Sequence, residues 1–256
     1  MCFDHDSRPP IAPIEGGSLD AREVALQAAD GNRFAAFEAR AAEPTGAGMV
    51  VLPDVRGLHT YYRDLVLRFA EHGVDAIGID YFGRSAGIGD RGPDFDWAAH
   101  VPQTTYEGLR ADVVAAVEHL RATTGAARVF TMGFCMGGRL AFLTDTFGLG
   151  LAGVVGFYGW PVGPSRNGTP APADEVAGFE APVLAVFGGG DQGIDADAVA
   201  AFEAALAGAG VEHRVITYPG APHSFFDRKA EEFADASAAA WTETLAFVRG
   251  HGAGRA

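Results

Sequence analysis

The chain has 256 residues, of which 48% are hydrophobic and 20% are charged, and its formal net charge is −14. This length suits one large α/β domain or two small ones, and the acidity disfavours nucleic acid and anionic membranes as partners. No run approaches the roughly 18 apolar residues of a membrane-spanning helix. The acidic, Pro-rich start has no apolar signal segment. With two cysteines, Cys2 and Cys135, the composition predicts a cytoplasmic protein without a structural disulfide.

Two strand-like stretches begin the folded part, EVALQAA and RFAAFEARAA. They are joined by Asp30-Gly31-Asn32, where Gly supplies the positive φ of a tight hairpin turn. The chain then alternates between Val/Ile-rich strands and amphipathic helices. The later predicted strands are GMVVLPD, VDAIGID, RVFTMGF, LAGVVGFYG, PVLAVFGGG and HRVITYPG, and the helices are YYRDLVLRFAEHG, TTYEGLRADVVAAVEHLRATTG, RLAFLTDTF, ADAVAAFEAALAGAG and ASAAAWTETLAFVRG.

This alternation predicts a mostly parallel sheet with helices on both faces, an α/β fold with an N-terminal hairpin. Residues 1–20 are predicted to form an irregular arm and residues 21–256 a single domain. The two longest loops, GRSAGIGDRGPDFDWAAHVPQ and PVGPSRNGTPAPADEVAGFEA, each follow the carboxyl end of a strand. Ligands bind at that edge of open α/β sheets, so we expect these loops to form lids or pocket walls.

The stretch GFCMGG, residues 133–138, lies between a predicted strand and a predicted helix. Small residues two before and two after a central residue frame a nucleophile elbow, where the chain turns too sharply for flanking side chains. The usual central residue is Ser, and here it is Cys135. A catalytic thiolate is one interpretation, and a small buried Cys is the structural alternative.

A nucleophile at Cys135 predicts an acid and then a His later in the chain, each after a strand. Of the eight His, His223 follows the strand HRVITYP, in the loop GAPHSFF. Asp191 directly follows PVLAVFGGG and is the predicted acid. Asp195 and Asp197 are alternatives that resemble the start of the next helix, where Asp commonly caps.

Each of these residues alone has an ordinary structural explanation as a core Cys, a capping Asp or a surface His. Their order and their positions at the ends of strands together favour a catalytic triad of Cys135, Asp191 and His223. A free thiol has a pKa of about 8.5, and an imidazolium or a helix N-terminus favours its thiolate. His223 would supply that charge, and Asp191 would fix the tautomer of His223.

An oxyanion hole needs two backbone N–H groups, which we predict to be those of Met136, after the nucleophile, and Val55, in the loop after MVVLP. No His, Cys, Asp or Glu group has metal-ligand spacing. Neither GxGxxG after the first strand nor GxxxxGK[ST] occurs. The sequence therefore predicts no metal and no cofactor.

Four stretches, GFCMGGR, FGGGD, PGAPHSFF and GIDYFGR, together resemble the dienelactone hydrolase family (carboxymethylenebutenolidases) of the α/β-hydrolase fold. The resemblance extends over residues 20–250, and the Cys-centred elbow is its most specific part. It implies a Cys-His-Asp triad, which falls on Cys135, His223 and Asp191. It also implies hydrolysis of a small lactone through a thioacyl-enzyme.

Two positions depart from the pattern that the resemblance implies. The family's Glu after the first core strand, which interacts with the resting thiol, corresponds to Asp54, which either modulates Cys135 or caps the following turn. One of the family's substrate-carboxylate arginines matches Arg84, which either pairs with an anion or is a solvated loop residue. The other matches Asp227, and Arg228 follows one place later.

Aromatic residues near strand ends are candidates for the pocket wall, and core packing is the alternative. They are Tyr81, Phe82, Tyr158, Trp160, Phe225 and Phe226. We take Tyr158 as a substrate-binding candidate beside Arg84 and Arg228. Arg56 and His59, next to Asp54, are further candidates to compensate for the displaced arginine.

The leading expectation is a cofactor-independent hydrolase of a small lactone or ester, with no nucleic-acid or membrane partner. A broader carboxylesterase or thioesterase on the same scaffold is the first alternative. A thiol sensor or binding protein that does not turn over is the second, and an intact acid and His argue against it, since a sensor needs only an accessible, low-pKa thiol. The sequence leaves the oligomeric state, monomer or dimer, open.

Overall fold

An eight-stranded, mostly parallel sheet forms the centre of the protein in the computed structural model, which describes residues 6–251. The strands are β1 (Ser18–Gln27), β2 (Arg33–Ala41), β3 (Ala47–Leu52), β4 (Val74–Ile79), β5 (Arg128–Phe134), β6 (Gly153–Phe157), β7 (Val183–Gly188) and β8 (His213–Tyr218). Their order in the sheet is β1-β2-β4-β3-β5-β6-β7-β8. Strand β3 is next to β4 on the side away from the hairpin, and β5, β6, β7 and β8 follow it in that order. Because these strands are parallel, the carboxyl ends of β3, β5, β6, β7 and β8 lie at the same edge of the sheet.

The antiparallel part of the sheet is the predicted hairpin. Strands β1 and β2 pair antiparallel, with Gly31 at φ +89° in the turn, and β2 also pairs antiparallel with β4. All the other pairings are parallel. The predicted fold class is therefore confirmed. Strand β1 begins at Ser18, so the last three residues assigned to the irregular arm belong to the sheet. Cys2 lies outside the described residues.

Helices cover both faces of the sheet. They are α1 (Thr60–Glu71), α2 (Gly83–Ala86), α3 (Trp97–His100), α4 (Tyr106–Thr124), α5 (Met136–Leu143), α6 (Pro172–Glu175), α7 (Ala196–Gly208) and α8 (Ala234–Gly250), with 3₁₀ turns at Val101–Gln103, Thr144–Phe147 and Val176–Gly178. No helix within residues 6–251 has the length and apolar character to cross a membrane.

The core has two parts because successive strand side chains point to opposite faces. In β3, Met49 and Val51 pack with α1 and α8, whereas Val50 and Leu52 pack with α4. Helix α4 begins at Tyr106, two residues inside the predicted stretch, where the Thr105 hydroxyl accepts a 3.1 Å bond from Gly108 N. The continuous apolar runs of the strands thus reflect burial on both faces.

Both long loops lie at the carboxyl edge, as predicted, and both contain short helices that the sequence pattern did not reveal. The first loop, between β4 and α4, contains α2 and α3. The second, between β6 and β7, contains α6. These helices are only four residues long, too short for a 3.6-residue apolar period to be visible.

Candidate active site

Cys135 occupies the sharp turn between β5 and α5. Its backbone has φ 56° and ψ −114°, a conformation that L-residues rarely adopt. Its N–H still bonds to Phe157 O at 3.0 Å, so the strand pairing extends to the turn itself. The side chain is 4% exposed and stands at the N-terminus of α5. This is the geometry of a nucleophile elbow, in which strain is retained because the surrounding sheet enforces it.

Glycines are required on both sides of Cys135 because other chain segments approach the backbone closely. A Cβ on Gly133 would lie 1.9 Å from Gly137 O. A Cβ on Gly137 would lie 2.2 Å from the carbonyl oxygens of Leu52 and Pro53. The two small residues therefore let the elbow pack against the end of β3.

Asp191 and His223 form a hydrogen-bonded pair at the ends of the next strands. Asp191 follows β7, His223 follows β8, and Asp191 Oδ2 lies 2.6 Å from His223 Nδ1. The other Asp191 oxygen accepts from Gly193 N at 2.8 Å and Ile194 N at 3.3 Å. With one carboxylate oxygen occupied by backbone donors, the other fixes the imidazole with Nδ1 as the donor.

The alternative acid Asp195 has a structural role. Its carboxylate accepts a 2.8 Å bond from Ala198 N and caps α7, and Asp197 lies in the first turn of the same helix. These positions match the capping use expected of Asp at a helix start. Asp191 is the carboxylate bonded to His223.

A single cavity of about 560 Å³ contains the predicted reactive groups. Its lining includes Cys135, His223 and the two predicted oxyanion donors, Val55 and Met136. The rest of the lining comes from the two long loops, from α5 and from the segment after β8: Trp97, Val101, Arg139, Trp160, Pro164, Ser165, Arg166, Asn167, Thr169, Ser224 and Arg228. This volume is typical of a small-molecule site.

Asp54 holds the turn that presents Val55. Its carboxylate accepts from Arg56 N at 2.8 Å, its carbonyl accepts from Gly57 N at 3.2 Å, and its N–H donates to Tyr62 Oη at 3.0 Å. Asp54 is fully buried and is not among the residues that line the cavity. These hydrogen bonds support the interpretation that Asp54 caps the following turn. Modulation of Cys135 by Asp54 stays a prediction.

The lining of the cavity is positive in an acidic protein. Among the described residues it contains Arg139, Arg166, Arg228 and His223 but no Asp or Glu, although the chain has a net charge of −14. The exposed guanidinium groups of Arg166 and Arg228 form no ion pair or side-chain hydrogen bond within residues 6–251. This distribution favours an anionic ligand.

Arg84 is not among the residues that line the Cys135 cavity, and its role as a substrate ligand stays a prediction. Its guanidinium donates to Asp30 Oδ2 at 2.5 Å, Asp112 Oδ1 at 2.8 Å and Gly108 O at 3.1 Å. It joins the hairpin turn to α4 and does not line the Cys135 cavity. Burial raises the pKa of Asp112 to about 6, even though the Arg84 charge opposes that shift.

Tyr158 is also placed differently from its assignment as a substrate contact. It is fully buried and does not line the cavity, and its hydroxyl donates to Asp227 Oδ2 at 2.7 Å. Asp227 is 4% exposed, and burial raises its pKa well above the usual range. The carboxylate that replaces the expected arginine therefore points into the interior, whereas Arg228 lies at the cavity.

The remaining candidates divide between core and cavity. The buried aromatics Tyr81, Phe82, Phe225 and Phe226 belong to the core, and Trp160 lines the cavity. Arg56 and His59 are buried and do not line it. Sequence reasoning missed Arg139, although it lies four residues after Cys135 within the quoted GFCMGGR. It also missed Arg166, although it lies in a loop that we expected to form a pocket wall.

A strained strand–helix turn with a thiol at its tip, followed along the sheet by an Asp–His pair, has the geometry of an α/β-hydrolase. The profile of the Dienelactone hydrolase family matches residues 34–252. With most of its length matched, the chain belongs to the dienelactone hydrolase family. It is therefore a hydrolase of carboxylic esters, a class that includes lactones.

Similar proteins agree with this family. "Putative carboxymethylenebutenolidase" of Salmonella typhimurium is 29% identical over 261 residues, 95% of this chain and 93% of the relative. "Probable 2-oxo-3-(5-oxofuran-2-ylidene)propanoate lactonase" of a Bradyrhizobium species is 32% identical over 218 residues, 81% of this chain and 85% of the relative. The crystal structure of "Putative Dienelactone Hydrolase" from Klebsiella pneumoniae has a TM-score of 0.77 at 28% identity, covering 90% of this chain and 98% of that one.

Proposed function

We propose that this protein opens small anionic lactones by covalent catalysis at Cys135. His223 is the base and acid, and Asp191 orients it. The observation that carries the proposal is the 2.6 Å Asp191–His223 bond on an imidazole that lines the same cavity as the Cys135 thiol. The N-terminus of α5 adds a favourable field for a thiolate.

In the first half-reaction, the Cys135 thiolate attacks the lactone carbonyl carbon. The carbonyl oxygen becomes an oxyanion, for which the N–H groups of Val55 and Met136 are the proposed donors. Collapse of the adduct breaks the ring C–O bond, and the released enolate or alkoxide oxygen takes the proton of the His223 imidazolium. The ring-opened molecule stays attached as a thioester because both fragments belong to the same molecule.

In the second half-reaction, a water molecule gives a proton to Nε2 of neutral His223, and its oxygen attacks the thioester carbon. Collapse breaks the C–S bond, restores the thiolate beside the imidazolium, and releases the free acid. Amides are poor substrates for this chemistry because the tetrahedral adduct expels the thiolate in preference to an amine. Esters and enol lactones have leaving groups that compete with the thiolate.

The positive lining supports a substrate that carries a carboxylate. Arg166 and Arg228 are the proposed ligands of that group, since their guanidinium groups have no partner within the described chain and reach the cavity from two different loops. The Bradyrhizobium relative is named for an oxofuranylidene-propanoate, a lactone with a carboxylate. A dienelactone formed during degradation of aromatic compounds has the same two features.

The test compares steady-state hydrolysis of a cis-dienelactone, its neutral methyl ester and p-nitrophenyl acetate. We expect Cys135→Ala to abolish all three activities. Arg166→Gln and Arg228→Gln should each raise KM for the acid lactone about tenfold, the equivalent of one lost charged hydrogen bond, and leave the methyl ester unaffected. Arg249→Gln, at an exposed site on α8, is the charge-matched control. Equal turnover of acid and methyl ester would refute the anionic substrate, and Cys135-independent turnover would refute the covalent mechanism.

A broader carboxylesterase or thioesterase is the second candidate. It is favoured by the engagement of Arg84 with Asp30 and Asp112, which removes one expected carboxylate ligand. In that case p-nitrophenyl acetate or a short acyl thioester would be hydrolysed faster than the acid lactone, still in a Cys135-dependent manner.

A further inference from the structure

The imidazole of His223 contacts two aromatic rings that come from one segment after β6. The Tyr158 ring centroid is 4.9 Å from that of His223, and the Trp160 centroid is 4.8 Å away at an interplanar angle of 37°. We infer that Tyr158 and Trp160 form an aromatic clamp that positions the His223 imidazole and favours its protonated form. This inference rests on the proposed role of His223 as the base for Cys135.

Each ring of the aromatic clamp is anchored at its polar end. The Tyr158 hydroxyl donates to buried Asp227 at 2.7 Å. The Trp160 indole N–H donates to Gly193 O at 2.9 Å. Gly193 N in turn donates to the Asp191 oxygen that does not face His223. Trp160 thus contacts the base directly and holds the loop that holds the acid.

The backbone of the clamp is packed against the nucleophile helix. A Cβ on Gly159, between the two aromatic residues, would lie 2.3 Å from Arg139 N in α5. The Arg139 guanidinium donates to Trp160 O at 3.1 Å. It also donates to the carbonyls of Gly163, Thr169 and Pro170. The helix that carries Cys135 therefore fixes the position of the rings that hold His223.

This arrangement has two consequences for the imidazole. Because two anchored aromatic rings lie with their centroids 4.9 Å and 4.8 Å from that of the imidazole, rotation of His223 away from Asp191 is restricted by side chains that are themselves held in place. Because aromatic faces attract a cation, the protonated imidazole gains stabilisation that the neutral one lacks. The other charged or titratable groups that face His223 are Asp191, Cys135, Asp227 and Arg228, with Arg139 behind Trp160. Substitution of Trp160 removes none of these charged groups, although a variant without the indole N–H also loses the bond to Gly193 O.

The test measures alkylation of Cys135 by iodoacetamide as a function of pH, which requires no knowledge of the substrate. In Trp160→Leu we expect alkylation at pH 7 to slow about two- to fivefold, with the pH midpoint about half a unit higher, as expected for loss of a partly exposed cation–π contact. Trp160→Phe, which retains a ring but loses the N–H, should recover most of the rate. The matched control is Trp241→Phe, which should react like wild type. The indole of Trp241 packs on Phe69 and His72 and has no contact with His223 among those of the described residues.

Lactone turnover distinguishes two roles for Trp160: positioning the His223 imidazole, or only lining the substrate cavity. Positioning predicts that Trp160→Leu lowers kcat about tenfold and changes KM less than twofold, whereas a substrate-wall residue would raise KM and leave alkylation unchanged. Alkylation and kcat equal to wild type in Trp160→Leu would overturn the clamp. Trp160-dependent alkylation in a protein that does not hydrolyse lactones would support the clamp and refute only the proposed substrate. Tyr158→Phe loses the bond to Asp227 but keeps the ring. Alkylation and kcat measured on this variant therefore test the contribution of the Tyr158 anchor separately from that of its ring.

Discussion

Replacing Asp191 by Asn tests the orientation of the base most directly. One Asp191 oxygen accepts from Gly193 N and Ile194 N, and the other accepts from His223 Nδ1 at 2.6 Å. In the Asp191→Asn variant the amide oxygen is retained by the two backbone donors, so the amide NH₂ group must face His223. An NH₂ donor forces Nδ1 to become the acceptor. Nε2 then carries the proton and no longer serves as a base.

The size of the effect follows from the lost charge pair. Two unit charges about 4 Å apart at an effective dielectric constant of about 20 interact by about 4 kcal/mol, which corresponds to about a thousandfold in rate. We expect kcat for the best ester or lactone substrate to fall by about a thousandfold or more, and KM to change little because Asp191 is not among the lining residues. The measurement is steady-state kinetics, with a thermal melt to verify that the variant is folded.

Asp195→Asn is the matched control. Asp195 caps α7 from four residues further along, and Asn is an equally good N-cap, so both activity and melting temperature should stay close to wild type. If Asp191→Asn retains more than a tenth of the wild-type kcat, Asp191 is not the carboxylate that orients the base, and the proposed triad is wrong.

Two further predictions concern buried charges away from the cavity. Arg91→Met leaves the fully buried Asp80 carboxylate without the guanidinium that lies 2.8 Å from it, so we expect a loss of about 3–5 kcal/mol in urea unfolding. Arg214→Met, in the exposed pair with Glu243, should cost less than about 1 kcal/mol, and an equal loss in both would contradict the argument. Burial raises the pKa of Asp112 to about 6. Between about pH 4 and pH 6 the folded protein therefore retains a proton on Asp112 that the unfolded chain has released. The free energy of unfolding consequently falls as the pH rises through this range. Asp112→Asn retains an acceptor for Asn32 and Arg84. It should remove up to about 3 kcal/mol of the pH dependence of the free energy of unfolding. If the free energies of unfolding of wild type and variant change in parallel with pH, Asp112 is not the source of that dependence.

The sharp backbone turns that carry Cys135 and Asp191 were predictable because the residues that require them are adjacent in the sequence. The Gly133-to-Gly137 spacing and the Gly run before Asp191 describe sharp turns at strand ends, and alternating strands and helices bring those ends to one edge. The side-chain partners were not predictable in the same way. Arg84 binds Asp30 and Asp112, which are 54 and 28 residues away in the sequence. An exposed-looking loop arginine carries no local sign of such partners.

The cavity wall shows the same limit. Arg139 organises the loop after β6 through bonds to main-chain carbonyls 21–31 residues away. Since carbonyl oxygens are present at every residue, no side-chain pattern identifies which ones a buried guanidinium will meet. Composition predicted a loop there, and only the fold determines that Arg166 and Asn167 of that loop face the cavity.

Asp227 shows how one departure from the family pattern is accommodated. At the surface of an anion-binding cavity its carboxylate would repel a substrate carboxylate. Here it is turned inward, buried, and bound by the Tyr158 hydroxyl and its own neighbour's N–H. The Tyr158 hydroxyl that binds this buried carboxyl belongs to the ring whose centroid is 4.9 Å from that of His223, and Arg228, the next residue, lies at the cavity. In the two proposals made above, anion binding falls to Arg228 and base positioning depends on Asp227, which are adjacent residues of one turn. Asp227→Asn should consequently alter Cys135 reactivity more than KM for an anionic substrate, whereas Arg228→Gln should do the reverse.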